Sequence, residues 1–186
     1  MRKYNILLLL VLGAAVSLFA AVASSDDGEV RINDECDSHT FPPQAGCVGD
    51  GDVTFQEFLA KLNPQDGGHR AWNFHFDGHL EAGRMIRVEN EGGEPHSFVE
   101  VSAYGTGVVP PLNGALPPGT APAVPVGGGS LDQANGANIV LPGASRSFAG
   151  LSPGVHKFQC LIHPWMRLEV DVRNDKDKEH EHDHDH

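Results

Sequence analysis

The sequence predicts an all-β protein of the sandwich or barrel type. Short runs that alternate apolar and polar residues recur from residue 69 onward, and turn residues separate them. Several short strands at such spacing are typical of a β-sandwich or a barrel. One short segment before residue 69 has helical spacing instead.

The first 23 residues are predicted to be a secretory signal peptide. Arg2 and Lys3 precede an apolar stretch that begins at Ile6, and the small residues Ala21 and Ala23 precede a polar segment. An uncleaved membrane anchor is the alternative, because the apolar stretch is near the lower length limit for a span. We expect cleavage after Ala23 and export to the periplasm or the cell exterior, without stable membrane insertion.

Residues 24–68 are predicted to be an irregular, polar lead-in that ends in a short helix. Cys36 and Cys47 lie close together in it, and an exported chain favours a disulfide between them. Two free thiols, or a second metal site with His39, remain alternatives, although the spacing suits no standard zinc pattern.

The helix is predicted within DGDVTFQEFLAKLNP, where Thr54 is a candidate N-cap and Glu57 follows three residues later, as in a capping box. The same stretch partly matches a calcium-binding loop. Its first and third positions would be Gly46 and Val48, which have no side-chain oxygen, so the helix explains the residues better. The apolar residues at helical spacing are Phe55, Phe58, Leu59 and Leu62.

Residues 69–173 are predicted to form the β domain. In AWNFHF the large residues Trp72, Phe74 and Phe76 share one face of a strand. Further strands are predicted in RMIRVEN, HSFVEV, SRSFAG, GVHKFQC and MRLEVDV. A loop rich in Gly and Pro, residues 103–137, interrupts them, and loops of this length are usually functional or disordered.

Residues 174–186, NDKDKEHEHDHDH, are predicted to be a disordered tail, because a segment of acids and histidines cannot build a core. The tail is a candidate weak metal collector, and solubilising charge or an artificial addition is the alternative. Its alternate positions are His180, His182, His184 and His186.

The charge of the chain excludes some partners. The formal net charge of −12 becomes −14 when Arg2 and Lys3 leave with the signal peptide. Such an acidic protein is not suited to nucleic acid or to an anionic membrane surface.

Four residues together predict a mononuclear copper site. Cys160, His163 and Met166 lie within KFQCLIHPWM, and His96 lies in EPHSFVEV. Alone, a buried Cys is usually inert and a Met is usually core filler. A copper ion that cycles between Cu(I) and Cu(II) favours a thiolate, two imidazoles and a weak axial thioether, and this chain offers all of them. Pro164 stiffens the turn that would bring three of them together.

With these residues the chain resembles the cupredoxins, the blue copper proteins, over about residues 69–173. The C-x-x-H-x-x-M spacing is similar to the short loop of the amicyanins, which are plastocyanin-like. The resemblance implies a Greek-key β-sandwich and one type 1 copper. It also implies that His96, Cys160, His163 and Met166 are the ligands.

The resemblance implies supporting and docking residues as well. Many blue copper proteins have Asn after the first His, bonded to the Cys loop; this chain has Ser97, whose hydroxyl can do a similar job more weakly. His163, followed by Pro164 and Trp165, resembles the solvent-edge ligand of the family, with an apolar rim where a partner would dock.

The sequence therefore predicts an exported electron carrier that takes an electron from one redox protein and passes it to another. We do not expect an enzyme, because four ligands leave no open position for a substrate. A protein for copper trafficking or storage is the alternative, since it would explain the His tail and would bind copper exchangeably.

Overall fold

The computed structural model describes residues 28–43, 46–49, 51–63, 68–128 and 136–174. The predicted signal peptide, the four histidines of the tail and part of the loop at 103–137 lie outside the described residues. No helix within the described ranges is long and apolar enough to span a membrane.

Eleven strands and one α-helix are found in the described part of the chain. In order they are β1 Gly28–Asp34, α1 Phe55–Lys61, β2 Trp72–Phe76, β3 Leu80–Glu81, β4 Ile86–Asn90, β5 His96–Ser97, β6 Val99–Ala103, β7 Val124–Pro125, β8 Ile139–Val140, β9 Ser145–Phe148, β10 Gly154–Gln159 and β11 Arg167–Arg173. A 3₁₀ segment at Pro110–Ala115 lies between β6 and β7.

The strands form a sandwich of two main sheets. One sheet has the order β2-β1-β4-β9 and the other the order β3-β11-β10-β6-β7, while β5 and β8 form a short separate pair. The apolar faces of both sheets meet in one buried core, for example Ile32 and Val88 from the first and Phe158 and Val170 from the second. The predicted all-β sandwich with a short helix is confirmed.

The lead-in was predicted to be irregular up to its short helix, but the structure has strand β1 in it. It lies inside the first sheet, antiparallel to β2 and parallel to β4. Val30 and Ile32 point into the core, whereas the alternating residues Glu29 and Arg31 are exposed on the opposite face. Two apolar positions in a polar stretch are too few to show a period, so the strand is defined by its two partners.

Helix α1 confirms the predicted amphipathic segment. The Thr54 hydroxyl accepts a hydrogen bond from the Glu57 N–H at 3.2 Å, which caps the first turn. The buried Phe58 ring packs edge-on against Trp72 and Trp165, with centroids 5.4 and 5.3 Å away. These ring contacts fix the helix over one end of the sandwich.

A disulfide between Cys36 and Cys47 is present, as predicted from the sequence. Cys36 also pairs with Val53 in a parallel bridge, and its carbonyl accepts a hydrogen bond from the Gly51 N–H at 3.1 Å. Because Val53 lies directly before the helix, the disulfide segment ties β1 to α1. Closing such a loop stabilises a fold by about 3 kcal/mol in the chain-entropy model.

The loop at 103–137 is anchored to the Cys160 end of the sandwich in its described part. The Gly105 N–H and C=O bond the Gln159 side-chain amide at 3.0 and 2.8 Å. The Val108 N–H donates to the Leu161 carbonyl at 2.8 Å. A Cβ at Gly107 would lie 2.0 Å from the same carbonyl oxygen, so only glycine fits this approach.

Candidate metal centre

Three of the four predicted ligands meet at one point. His96 begins β5, Cys160 directly follows β10, and His163 lies in the turn after it. The Cys160 Sγ atom is 3.8 Å from the His96 Nδ1 atom and 3.9 Å from the His163 Nδ1 atom. The two Nδ1 atoms are 3.1 Å apart. All three side chains are buried.

This triangle of atoms has the size of a metal site. From its three sides, the point equidistant from the corners is about 2.1 Å from each, within the roughly 2.0–2.3 Å of metal–nitrogen and metal–sulfur bonds in proteins. Two imidazoles and a thiolate in a trigonal arrangement are the equatorial ligands that copper adopts in electron-transfer sites. The residues present therefore fit a copper ion.

Backbone hydrogen bonds close the turn that carries Cys160 and His163. The His163 N–H points at the Cys160 sulfur at 3.3 Å. The Met166 N–H donates to the His163 carbonyl at 2.9 Å, and the Cys160 N–H donates to the Met166 carbonyl at 3.1 Å. Pro164 lies inside this turn and is buried. The turn thus holds both ligand side chains in place by its own backbone.

Ser97 connects the two chain segments of the site. Its hydroxyl oxygen accepts a hydrogen bond from the Leu161 N–H at 2.7 Å, directly after Cys160. Its own N–H points at the Cys160 sulfur at 3.4 Å. This is the cross-link that a residue after His96 was expected to make.

Burial sets the protonation of the three side chains. It lowers the pKa of His163 to about 3, and burial together with the neighbouring His163 lowers the pKa of His96 well below its usual value. Burial also raises the pKa of the Cys160 thiol, against the opposing effect of the N–H groups of His163 and Ser97. At neutral pH both imidazoles are therefore neutral, as metal ligands must be.

Met166 is fully buried, and its backbone belongs to the same turn. The structure thus places Met166 in the turn that forms the site. Its role as axial ligand stays a prediction.

His163 is not at the solvent edge, which corrects the expectation drawn from the family resemblance. Its side chain is 2% exposed. The Trp72 ring stacks on it with centroids 5.4 Å apart and planes 14° apart, and the Trp165 ring lies against it at 5.5 Å and 53°. Phe58 of α1 covers both indoles. The segment before residue 69 therefore forms part of the wall of the site.

Pro164 and Trp165, the predicted docking residues, are buried as well. Trp165 lines an apolar groove of about 250 Å³ between α1 and the 3₁₀ segment. The groove is lined by Pro42, Phe55, Phe58, Leu59, Trp72, Pro111, Leu112, Gly114, Ala115 and Trp165.

A second cluster brings the carboxyl group of Glu94 to Cys36 and Cys47. The two sulfurs are bonded to each other, so they are not thiolate ligands in this structure. His39, considered from the sequence as a partner of these cysteines, is exposed, and its N–H donates to the Asp37 carboxylate at 2.9 Å.

Sequence reasoning missed the parts of the site that come from the first half of the chain. Alternation placed Trp72 on the inner face of its strand, and helical spacing gave Phe58 an apolar position. No signal in the spacing links Trp72 to His163, or Phe58 to Trp72. Both contacts arise from the packing of α1 and β2 on the Cys160 turn.

Fold and site together define an all-β sandwich with a buried trigonal centre of two histidines and a cysteine. Neither the protein-family models nor the curated protein sequences compared with the chain match it. A solved purple cupredoxin from Nitrosopumilus maritimus is similar over 79% of this chain and 100% of its own, at 15% identity and a TM-score of 0.38. A reduced and an oxidised amicyanin variant are each similar over 51% of this chain and 67% of their own, at 18% identity and a TM-score of 0.31.

Proposed function

We propose that this chain is an exported electron carrier with one type 1 copper, held by His96, Cys160, His163 and Met166. The observation that supports this most strongly is the buried triangle of two Nδ1 atoms and one Sγ atom. A copper ion bound there would supply one-electron exchange between Cu(I) and Cu(II).

The surroundings suit these side chains to their roles. His96 and His163 are neutral at physiological pH because burial lowers the pKa of each. The N–H groups of Ser97 and His163 point at the Cys160 sulfur and stabilise its thiolate form. A cation at the site adds to that stabilisation, since a coordinating thiol is deprotonated.

The ligands are also held before any metal arrives. Hydrogen bonds within the Cys160 turn, and the bond from Leu161 to Ser97, fix the backbone around them. A rigid site that changes little between oxidation states is what fast electron exchange requires.

Burial favours a carrier over a trafficking or storage protein. Cys160 and His96 are fully buried, and His163 is nearly so. A trafficking site has to hand its ion to a partner, and here that transfer would require the Cys160 turn or α1 to open. We also propose no enzymatic role, because the four side chains fill the coordination positions.

The proposed location is the periplasm or the cell exterior. The Cys36–Cys47 disulfide fits an oxidising compartment, and the predicted signal peptide agrees with export. The partners would be a donor and an acceptor redox protein. A net charge of −12 argues against nucleic acid.

Addition of Cu(II) to the mature, metal-free protein tests the function. We expect intense visible absorption from charge transfer between the thiolate and the metal, reversible on reduction. Cys160→Ser should abolish the colour, whereas the double variant Cys36→Ser, Cys47→Ser should keep it. A colourless Cu(II) complex of the wild type would refute the proposal.

A further inference from the structure

None of the three ligands that meet in the structure touches bulk water, so an electron has to cross other side chains to reach the surface. His96 and Cys160 are fully buried, and His163 is 2% exposed. The residues around His163 therefore decide which surface is electronically connected to the centre.

Trp72 makes the closest parallel contact with a ligand. Its ring and the His163 ring are 14° from parallel at a centroid distance of 5.4 Å, so the two π systems face each other. Trp165 is also near, but its ring is tilted by 53° to the His163 ring. Overlap between π systems is best for the parallel pair.

From Trp72, further aromatic rings lead outward. The rings of Phe58 and Phe41 lie nearly perpendicular to it, at 84° and 86°, with centroid distances of 5.4 and 5.1 Å. Phe58 and Trp72 both line the apolar groove, whose rim includes Leu59 at 54% exposure. The stack therefore joins a buried ligand to a groove that is open at the surface.

We propose that Trp72 is the side chain through which the electron passes between His163 and this groove. The inference rests on the proposed function and adds the route to it. With copper bound at His96, Cys160 and His163, oxidation of the centre would send one electron through Trp72 to a one-electron acceptor at the groove, which would be reduced. No bond forms or breaks and no proton moves.

The decisive variants are Trp72→Leu, which removes the ring, and Trp72→Phe, which keeps one. The measurement is the rate at which the copper-loaded, reduced protein is oxidised by tris(phenanthroline)cobalt(III), an outer-sphere acceptor with aromatic ligands. We expect Trp72→Leu to lower this rate by about tenfold or more, the order typical of losing a residue that contacts a metal ligand. Trp72→Phe should restore a large part of it.

Two matched variants separate a route from general damage. Phe74→Leu removes an aromatic ring two residues along the same strand, where it packs on Phe98 and not on His163. Trp165→Leu removes the tilted indole. Neither variant should slow the reaction as much as Trp72→Leu does. In Trp72→Phe, the visible spectrum and the reduction potential should stay close to those of the wild type.

The stacking itself is measurable without metal. In the metal-free protein, the ring current of Trp72 should shift the NMR signals of the His163 ring protons upfield. Trp72→Leu should remove this contribution, while the tilted Trp165 ring still acts on the same protons. Unchanged His163 signals in Trp72→Leu would refute the contact.

The two proposals fail differently. A wild type that never becomes blue refutes the copper function. A blue Trp72→Leu that reacts as fast as wild type, or a Trp165→Leu that slows more, refutes the route and leaves the copper function standing.

Discussion

The Nδ1 atoms of His96 and His163 lie 3.1 Å apart, although 67 positions separate these residues in the chain. Two protonated imidazoles at that distance would repel each other, and burial adds to the cost of charging either one. The folded, metal-free protein therefore keeps both rings neutral, which is the form in which an imidazole binds a metal ion.

This pairing predicts acid sensitivity of the metal-free protein. The unfolded chain takes up a proton on each His near pH 6.5, whereas folded His163 resists until about pH 3. Stability present at neutral pH is therefore lost as pH falls through that window, by about 1.4 kcal/mol per pH unit for each such His. Urea unfolding at several pH values measures the slope of the free energy of unfolding against pH. His163→Phe should make this slope shallower. An unchanged slope would contradict the assignment of the pH dependence to His163.

The carboxyl group of Glu94 predicts a change of the free energy of unfolding with pH that has the opposite sign. Its carboxyl is 4% exposed, and burial, with the neighbouring Asp34 second, raises the pKa of Glu94 to about 8. The folded protein keeps this proton between about pH 4.5 and 8, while the unfolded chain loses it. Stability thus falls as pH rises, by up to about 1.4 kcal/mol per unit.

The measurement is a comparison of metal-free wild type with Glu94→Gln, which keeps an oxygen for the Val48 N–H. The variant should gain stability relative to wild type as pH rises from 5 to about 8. A constant difference over that range would show that Glu94 is ionised in the folded protein.

Much of the site was predictable because its chemistry lies in short motifs. Cys160, His163 and Met166 are close in sequence, and their residue types together point to copper. The shielding of His163 was not predictable, since Trp72 stacks on it and Phe58 covers Trp72 only through packing across the fold. β1 escaped prediction for a related reason, because its two inward residues gain meaning only from their partner strands.

The disulfide predicts a stability effect separable from the metal centre. Cys36→Ser with Cys47→Ser should lower the free energy of unfolding by about 3 kcal/mol. The blue spectrum should persist, since the two sulfurs are bonded to each other and lie outside the group formed by His96, Cys160 and His163. Denaturant unfolding and absorption of the same samples check both statements. Loss of colour together with stability would instead show that the segment is needed to form the site.

Gly107 predicts how tightly the loop at 103–137 supports the centre. A Cβ there would lie 2.0 Å from the Leu161 carbonyl oxygen, a backbone atom that cannot move without shifting the Cys160 turn. Gly107→Ala should therefore destabilise the protein by more than 1 kcal/mol, a size typical of backbone clashes in packed regions, and should change the visible spectrum. Gly114→Ala is the matched control, because a Cβ there meets nothing within 4 Å. Equal effects of the two variants would contradict the close approach.

Met166 predicts a change of potential without loss of colour. Met166 is fully buried in the turn. Replacement of its soft thioether by an amide oxygen favours Cu(II). Met166→Gln should thus keep a coloured site and lower the reduction potential, measured by redox titration against dyes. Met166→Leu is the companion variant: it offers no ligand atom, destabilises Cu(II) and should raise the potential. If both variants keep the potential of the wild type, Met166 only packs against the site and the axial position belongs to another group.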